Sequence, residues 1–174
     1  MKTNAIAVAN YFVDLSKKYK VPIHLLGLVK RVYIAHGLAL AYRHKGLIDP
    51  RFDKVEAWKY GPVIPSVYHS FKQYRNNAIT EKVSNLIWDD NGVPKWETPQ
   101  LTDKEDKAIV EAVWKRYFTY SDGELVTLLH RNGTPWDVCY IQGTNAPIPD
   151  EVTKAYYDLL LNKIKENHER RKSC

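Results

Sequence analysis

The sequence predicts a mainly α (α+β) protein: a compact, single-domain helical bundle around a buried central helix, with a small β-hairpin or short extended segments. Three observations carry this expectation. Between His24 and Lys45 two apolar series overlap, Leu25-Leu28-Val32-Ala35-Ala39 and Leu26-Val29-Tyr33-Leu40, so that apolar groups lie nearly all round one helix. Segments on either side repeat apolar residues at spacings of three and four. Asp89-Asp90-Asn91-Gly92, flanked by Ile87-Trp88 and Val93 to Trp96, is a hairpin signal. At 174 residues the chain fits one domain, and chains of this size bury roughly 70% of their unfolded surface.

In the first helix, starting after Thr3 or Asn4, the stripe is Ala5, Val8, Phe12, Leu15 and Tyr19, and Pro22 ends it. The central helix follows. Gly37 and the alanines leave room for close neighbours, and Gly46 after Arg43-His44-Lys45 has the place of a C-terminal cap. Leu47 to Tyr60 changes composition, with Asp49-Pro50 as a turn between two short runs. Val55 to Tyr60 is aromatic and β-branched and reads as extended, Gly61-Pro62 breaks it, and Pro65 opens a helix with Val67, Phe71 and Tyr74 at helical spacing. The expected order there is strand, turn, helix.

Pro94 confines the second arm of the later hairpin to an edge, because it has no donor for a central ladder. Thr102 and Glu105 have capping-box spacing before a helix bearing Ile109, Val110, Val113, Trp114 and Tyr117, and Ser121 and Glu124 repeat the device before Leu125, Leu128 and Leu129. Asn132-Gly133 closes that helix, and Thr134-Pro135 opens another turn carrying Trp136. Asn145 to Asp150 is expected to be a loop. The last helix would bury Val152, Tyr156, Leu159, Leu160 and Ile164, with residues 1–165 as the domain and 166–174 as a flexible tail.

Composition bounds the function. The formal charge is +6, which suits an acidic protein partner or weak nucleic-acid contact, but lysine and arginine are spread along the chain. Cys139 and Cys174 are the only cysteines, too few for a disulfide framework or a cysteine zinc site, so a reducing cytoplasm is the expected location. Lys30 and Arg31 interrupt the longest apolar stretch, and no membrane span or signal peptide is expected. The dispersed glycines form no phosphate-cradling loop, and the six histidines lack the one-turn spacing of a metal site. Neither a cofactor nor a metal is expected. Cys139, His130 and Asp137 could be arranged as nucleophile, base and orienting acid, but Cys139 between Val138 and Tyr140 reads as an inward-packed thiol, and His130 as a helix cap or a partner of the Trp136 turn.

Trp58-Lys59-Tyr60-Gly61-Pro62-Val63, followed by Pro65, Val67 and Tyr68, resembles the signature of the Panacea (SocA-like) antitoxin domain, found in toxin–antitoxin pairs of bacteria and their phages. Leu128-Leu129-His130 and Pro135-Trp136 resemble that family's downstream element. The resemblance implies a non-enzymatic antitoxin that neutralises a cognate toxin, encoded by an adjacent gene, by direct binding through its folded domain. Within it, the Trp58-to-Tyr68 stretch reads first as architecture holding a turn against the central helix, with Trp58, Lys59, Tyr60 and Tyr68 as the candidate toxin-binding residues on the alternative reading, and Gly61, Pro62, Pro65, His130, Pro135 and Trp136 as the structural motif. The rival reading is a nucleic-acid-binding regulator, with the helices at 102–117 and 121–130 as a helix-turn-helix. It is less favoured, since Asp122, Glu124, Leu125 and Val126 would open the reading helix with no group that attracts phosphate.

Overall fold

The computed structural model describes residues 5–172. In chain order the elements are α1 (Ala5–Tyr19), α2 (Leu25–Arg43), β1 (Glu56–Trp58), β2 (Gly61–Val63), α3 (Pro65–Phe71), β3 (Asn85–Trp88), β4 (Pro94–Glu97), α4 (Lys104–Tyr117), α5 (Asp122–Leu129), α6 (Pro135–Cys139), β5 (Ala146–Pro147) and α7 (Asp150–Lys172). This is the expected mainly α domain with a minor β part. The N-cap of α1, expected at Thr3 or Asn4, lies outside the described residues.

Helix α2 is the axis of the molecule. It touches α1, α3, α4, α5, α7 and β2, and its residues are buried on every side, which suits a sequence with apolar groups all round. It is also the one helix among the described residues long and apolar enough to cross a membrane, and its apolar faces are covered by protein. Two glycines let neighbours approach. A Cβ on Gly37 would sit 2.2 Å from the Tyr157 ring of α7, and one on Gly27 would sit 2.3 Å from the Asp122 carboxylate.

The helix ends differently from the expected cap. His44, with φ of +57°, takes the left-handed position, while Gly46 has no positive φ. Gly46 is small for another reason: a Cβ there would lie 2.3 Å from the His36 ring. His36 is wholly buried, and its Nδ1 accepts the Ile48 N–H at 3.2 Å, so Nε2 carries the proton and donates to Asp150 at 2.9 Å. One imidazole thereby ties the exit of α2 to the start of α7.

The cap of α4 also shifts by one residue. Asp103, not Thr102, accepts from the amides of Glu105 (2.8 Å) and Asp106 (3.0 Å). One charged Asp103 oxygen accepts both orphan amides, and those two bonds hold the Asp103 pKa below its ordinary value. The register that results brings the buried Asp106 carboxylate onto Arg43 of α2. At α5 the Ser121–Glu124 capping box forms as expected.

The segment at 55–68 departs from strand, turn, helix. Gly61-Pro62-Val63 is itself a strand, pairing antiparallel with β1 so that Trp58 faces Gly61, and the turn is Lys59-Tyr60. Pro62 fits because its missing donor is not required at this sheet margin, and Gly61 still has a positive φ, +100°. Residues 145–150 are not purely loop: β5 pairs with the other edge of β1, giving the order β2-β1-β5. Of the two short runs flanking Asp49-Pro50, the one at Leu47 forms no strand, and Tyr74 ends in a single 3-10 turn beyond α3.

The β3–β4 hairpin forms with Leu86 opposite Trp96 and Trp88 opposite Pro94. Helix α7 buries Thr153 and Tyr157, whereas Leu159 and Ile164 are exposed and Tyr156 and Leu160 half-buried. Helix α7 runs on past α2 and is exposed from Asn162 to Lys172, where the sequence suggested an end near Glu166. Tyr19, placed on the buried stripe of α1, is exposed at that helix's end and stacks on Trp114 instead.

Candidate functional site

The two motif regions, some 70 residues apart, meet at one place. The Trp136 indole N–H donates to the Trp58 carbonyl at 2.7 Å. Its ring is held between His130 (centroids 3.7 Å apart, planes 6° apart) and Tyr140 (4.5 Å, 20°). Pro135 occupies the first turn of α6 and is buried, and the Thr134 hydroxyl donates to the Leu129 carbonyl at 2.9 Å, fixing α6 against the end of α5. His130 is the C-cap of α5. The downstream motif is therefore a clamp on the strand that carries the upstream one.

On the other side the hairpin is held from below by Lys30. This α2 lysine has no exposed surface, and its ammonium donates to the Pro62 carbonyl at 2.8 Å. Gly61 lies between Lys30 and His130: a Cβ there would be 3.1 Å from Lys30 Nζ and 3.3 Å from His130 Nε2, which is buried without a hydrogen-bond partner. Burial lowers the Lys30 pKa to about 7, against a partial upward pull from Asp122. His130 is also lowered, by burial and then by Lys30. Beside it Arg31 donates to the carbonyls of Tyr117 (2.9 Å) and Tyr120 (3.0 Å).

The candidate contact residues divide by exposure. Trp58 is half-buried, its indole N–H donating to Glu56 at 2.7 Å and its ring edge-on to Tyr68 at 5.0 Å. Tyr68 is half-buried too. Lys59 and Tyr60, the two turn residues, project: Tyr60 is 58% exposed and the Lys59 ammonium lies 5.4 Å from its ring centroid. Below the turn opens a cavity of about 350 Å³ between α2, the hairpin, α3 and Arg75. Pro65 stands at the first position of α3 and lies outside the lining.

The model of the family described as Antitoxin SocA-like, Panacea domain, matches residues 28–137. The chain is also 33% identical over 140 residues to a protein named Antitoxin SocA from Caulobacter vibrioides, the match covering 78% of this chain and 69% of the relative. The chain belongs to the SocA-like antitoxin (Panacea domain) family. No solved structure matches it. The Panacea match runs from within α2 to within α6, so that Lys30, the hairpin, His130 and the Trp136 clamp all fall inside it.

Two features of this Panacea domain escaped the sequence. Lys30 sits in an apolar helical run and had only the appearance of an interruption, although a cation at the centre of such a run is a signal of a buried charge. The second is the pairing that puts two tryptophans on one face of the expected β3–β4 hairpin. By strand alternation and register, Leu86, Trp88, Pro94 and Trp96 share one face, and Trp88 and Trp96 are 68% and 72% exposed. Cys139 is half-buried against the core, and burial raises its thiol pKa, the opposite of an activated thiolate.

Proposed function

We propose that the protein is an antitoxin that neutralises a cognate toxin, the product of an adjacent gene, by stoichiometric binding through its folded surface, in the cytoplasm and without catalysis. The observation that supports this reading best is the exposed Lys59-Tyr60 turn, a rigid aromatic and a cation presented on a hairpin braced from two sides by Lys30 and Trp136. Tyrosine on a preorganised turn binds at low conformational cost. The nucleic-acid reading has less support, because α5 opens with Asp122 and Glu124, which repel phosphate.

The test is co-expression with the neighbouring gene product, reading growth rescue and co-purification. Tyr60→Ala is expected to fold as the wild type and to weaken the complex about thirtyfold, as loss of a central aromatic anchor does. Absence of both rescue and complex would sink the reading. Binding that survives Tyr60→Ala but fails with Trp88→Ser and Trp96→Ser would move the contact to the β3–β4 hairpin.

A further inference from the structure

The cavity under the Lys59-Tyr60 turn has an unusual balance of charge. Its walls are largely apolar, with Leu25, Leu26, Val29 and Val63 among them. Three cations adjoin it: Lys30 beneath the floor, and Lys59 and Arg75 exposed at the mouth. Among the described residues none of the three forms an ion pair. Asp122 is the acid in the lining, and it faces Arg31 as well as Lys30. The site is thus short of negative charge, in a place where low dielectric makes a buried cation strongly felt.

A second observation is independent of charge. Arg75 has φ of +51° and ψ of −115°, a backbone conformation that is costly for a residue with a Cβ. It ends the 3-10 turn after α3 with its amide bonded to the Lys72 carbonyl at 3.1 Å, and it lines the cavity mouth. Glycine would take that angle without strain, yet the position carries a guanidinium.

We infer that this cavity receives a carboxylate of the toxin, carried on an apolar segment, with the apolar part against the α2 wall and the carboxylate above Lys30 and between Lys59 and Arg75. The inference rests on the antitoxin reading and names the chemistry of the partner's contact. A peptide fits better than a nucleic-acid strand. The Trp58 ring is engaged edge-on by Tyr68 and His69 rather than open for base stacking.

The experiment measures affinity for the purified neighbouring gene product by calorimetry between pH 6 and pH 8. With the free Lys30 titrating at about 7 and its proton retained in the complex, wild-type affinity falls about tenfold across that range. The groups facing Lys30 are Asp122 and His130 from α5, Lys59 from the turn, Arg75, and His24 and Arg31 on α2 itself. Lys30→Met separates its titration from theirs: the variant binds at least tenfold more weakly at pH 6 and loses most of the pH dependence. Because Lys30→Met also removes the bond to Pro62, Arg75→Gly serves as the second variant, and it keeps or raises the melting temperature while weakening binding severalfold.

Asp/Glu-to-amide substitutions in the toxin, against amidation of its C-terminus, separate a side-chain carboxylate from a terminal one, and one of the two sets reproduces the loss. Wild-type-like affinity of both Lys30→Met and Arg75→Gly, or competition by oligothymidylate with no response to the toxin's carboxylates, overturns the inference. If no complex forms, the antitoxin reading fails on its own, and the cavity is judged by nuclear magnetic resonance titration with phenylbutyrate and phenylbutyramide. The acid must shift the amides of Val29, Lys59 and Arg75 and the neutral amide must not; equal or absent shifts overturn the inference.

Discussion

Gly61 combines two demands that are separable by substitution. Its φ of +100° is closed to β-branched residues, and a Cβ would press on Lys30 and His130 at 3.1 to 3.3 Å. Gly61→Val is therefore expected to lower stability by about 1–3 kcal/mol or more from the backbone alone. Pro62→Ala leaves the carbonyl that Lys30 holds and should cost about 0.4–1 kcal/mol through the unfolded chain. Equal losses in urea melts of the two variants would contradict this. At Cys139 the expectation is the reverse of a functional thiol: burial raises its pKa, so Cys139→Ala should retain toxin binding and thiol-directed alkylation at neutral pH should be slow.

Among the elements, the packing of α7 on α2 depends on Gly37. Alanine there improves helix propensity by about 1 kcal/mol. The added methyl, however, would meet the Tyr157 ring at 2.2 to 2.8 Å, and that ring is buried against Tyr33. In a close-packed core the clash outweighs the gain, with a net loss of about 1–3 kcal/mol expected for Gly37→Ala. Tyr157→Leu should recover part of it, since a smaller side chain leaves room, and a double-mutant cycle would read the coupling. Additive losses would show that α7 yields instead of clashing. The hairpin β1–β2 packs Ala57 and Val63 into the core and is tied in addition by single hydrogen bonds from Lys30 and Trp136.

For the whole molecule the pH dependence of stability follows from Lys30. Its folded pKa of about 7 lies below the unfolded value of about 10.4, so the unfolded chain binds the proton more tightly. The sign is then fixed: the cost of burying the ammonium is fully present below pH 7 and is relieved as pH rises from 7 toward 10.4. Wild-type stability should increase between pH 7 and pH 9 relative to Lys30→Met, by about 1.4 kcal/mol per pH interval at most. His130, lowered from 6.5, acts in the same direction but below this window. The tyrosines Tyr33 and Tyr157, raised by burial, act above it. Melting temperatures of the two proteins that run parallel from pH 7 to pH 9 would show that Lys30 titrates elsewhere.

Local chemistry alone determined the helices, the central place of α2, the Asn91-Gly92 hairpin and the Ser121 capping box, because each depends on residues within a few positions of one another. The family was legible for the same reason, its signature being two short runs at 58–68 and 128–136. Tertiary structure decided what those runs do together. Whether Gly61-Pro62 is a turn or a strand turned on pairing with β1 and on the Lys30 ammonium below. The burial of Lys30 was equally out of reach, since burial is a property of what packs against a residue, and sequence spacing specifies only which residues share a face.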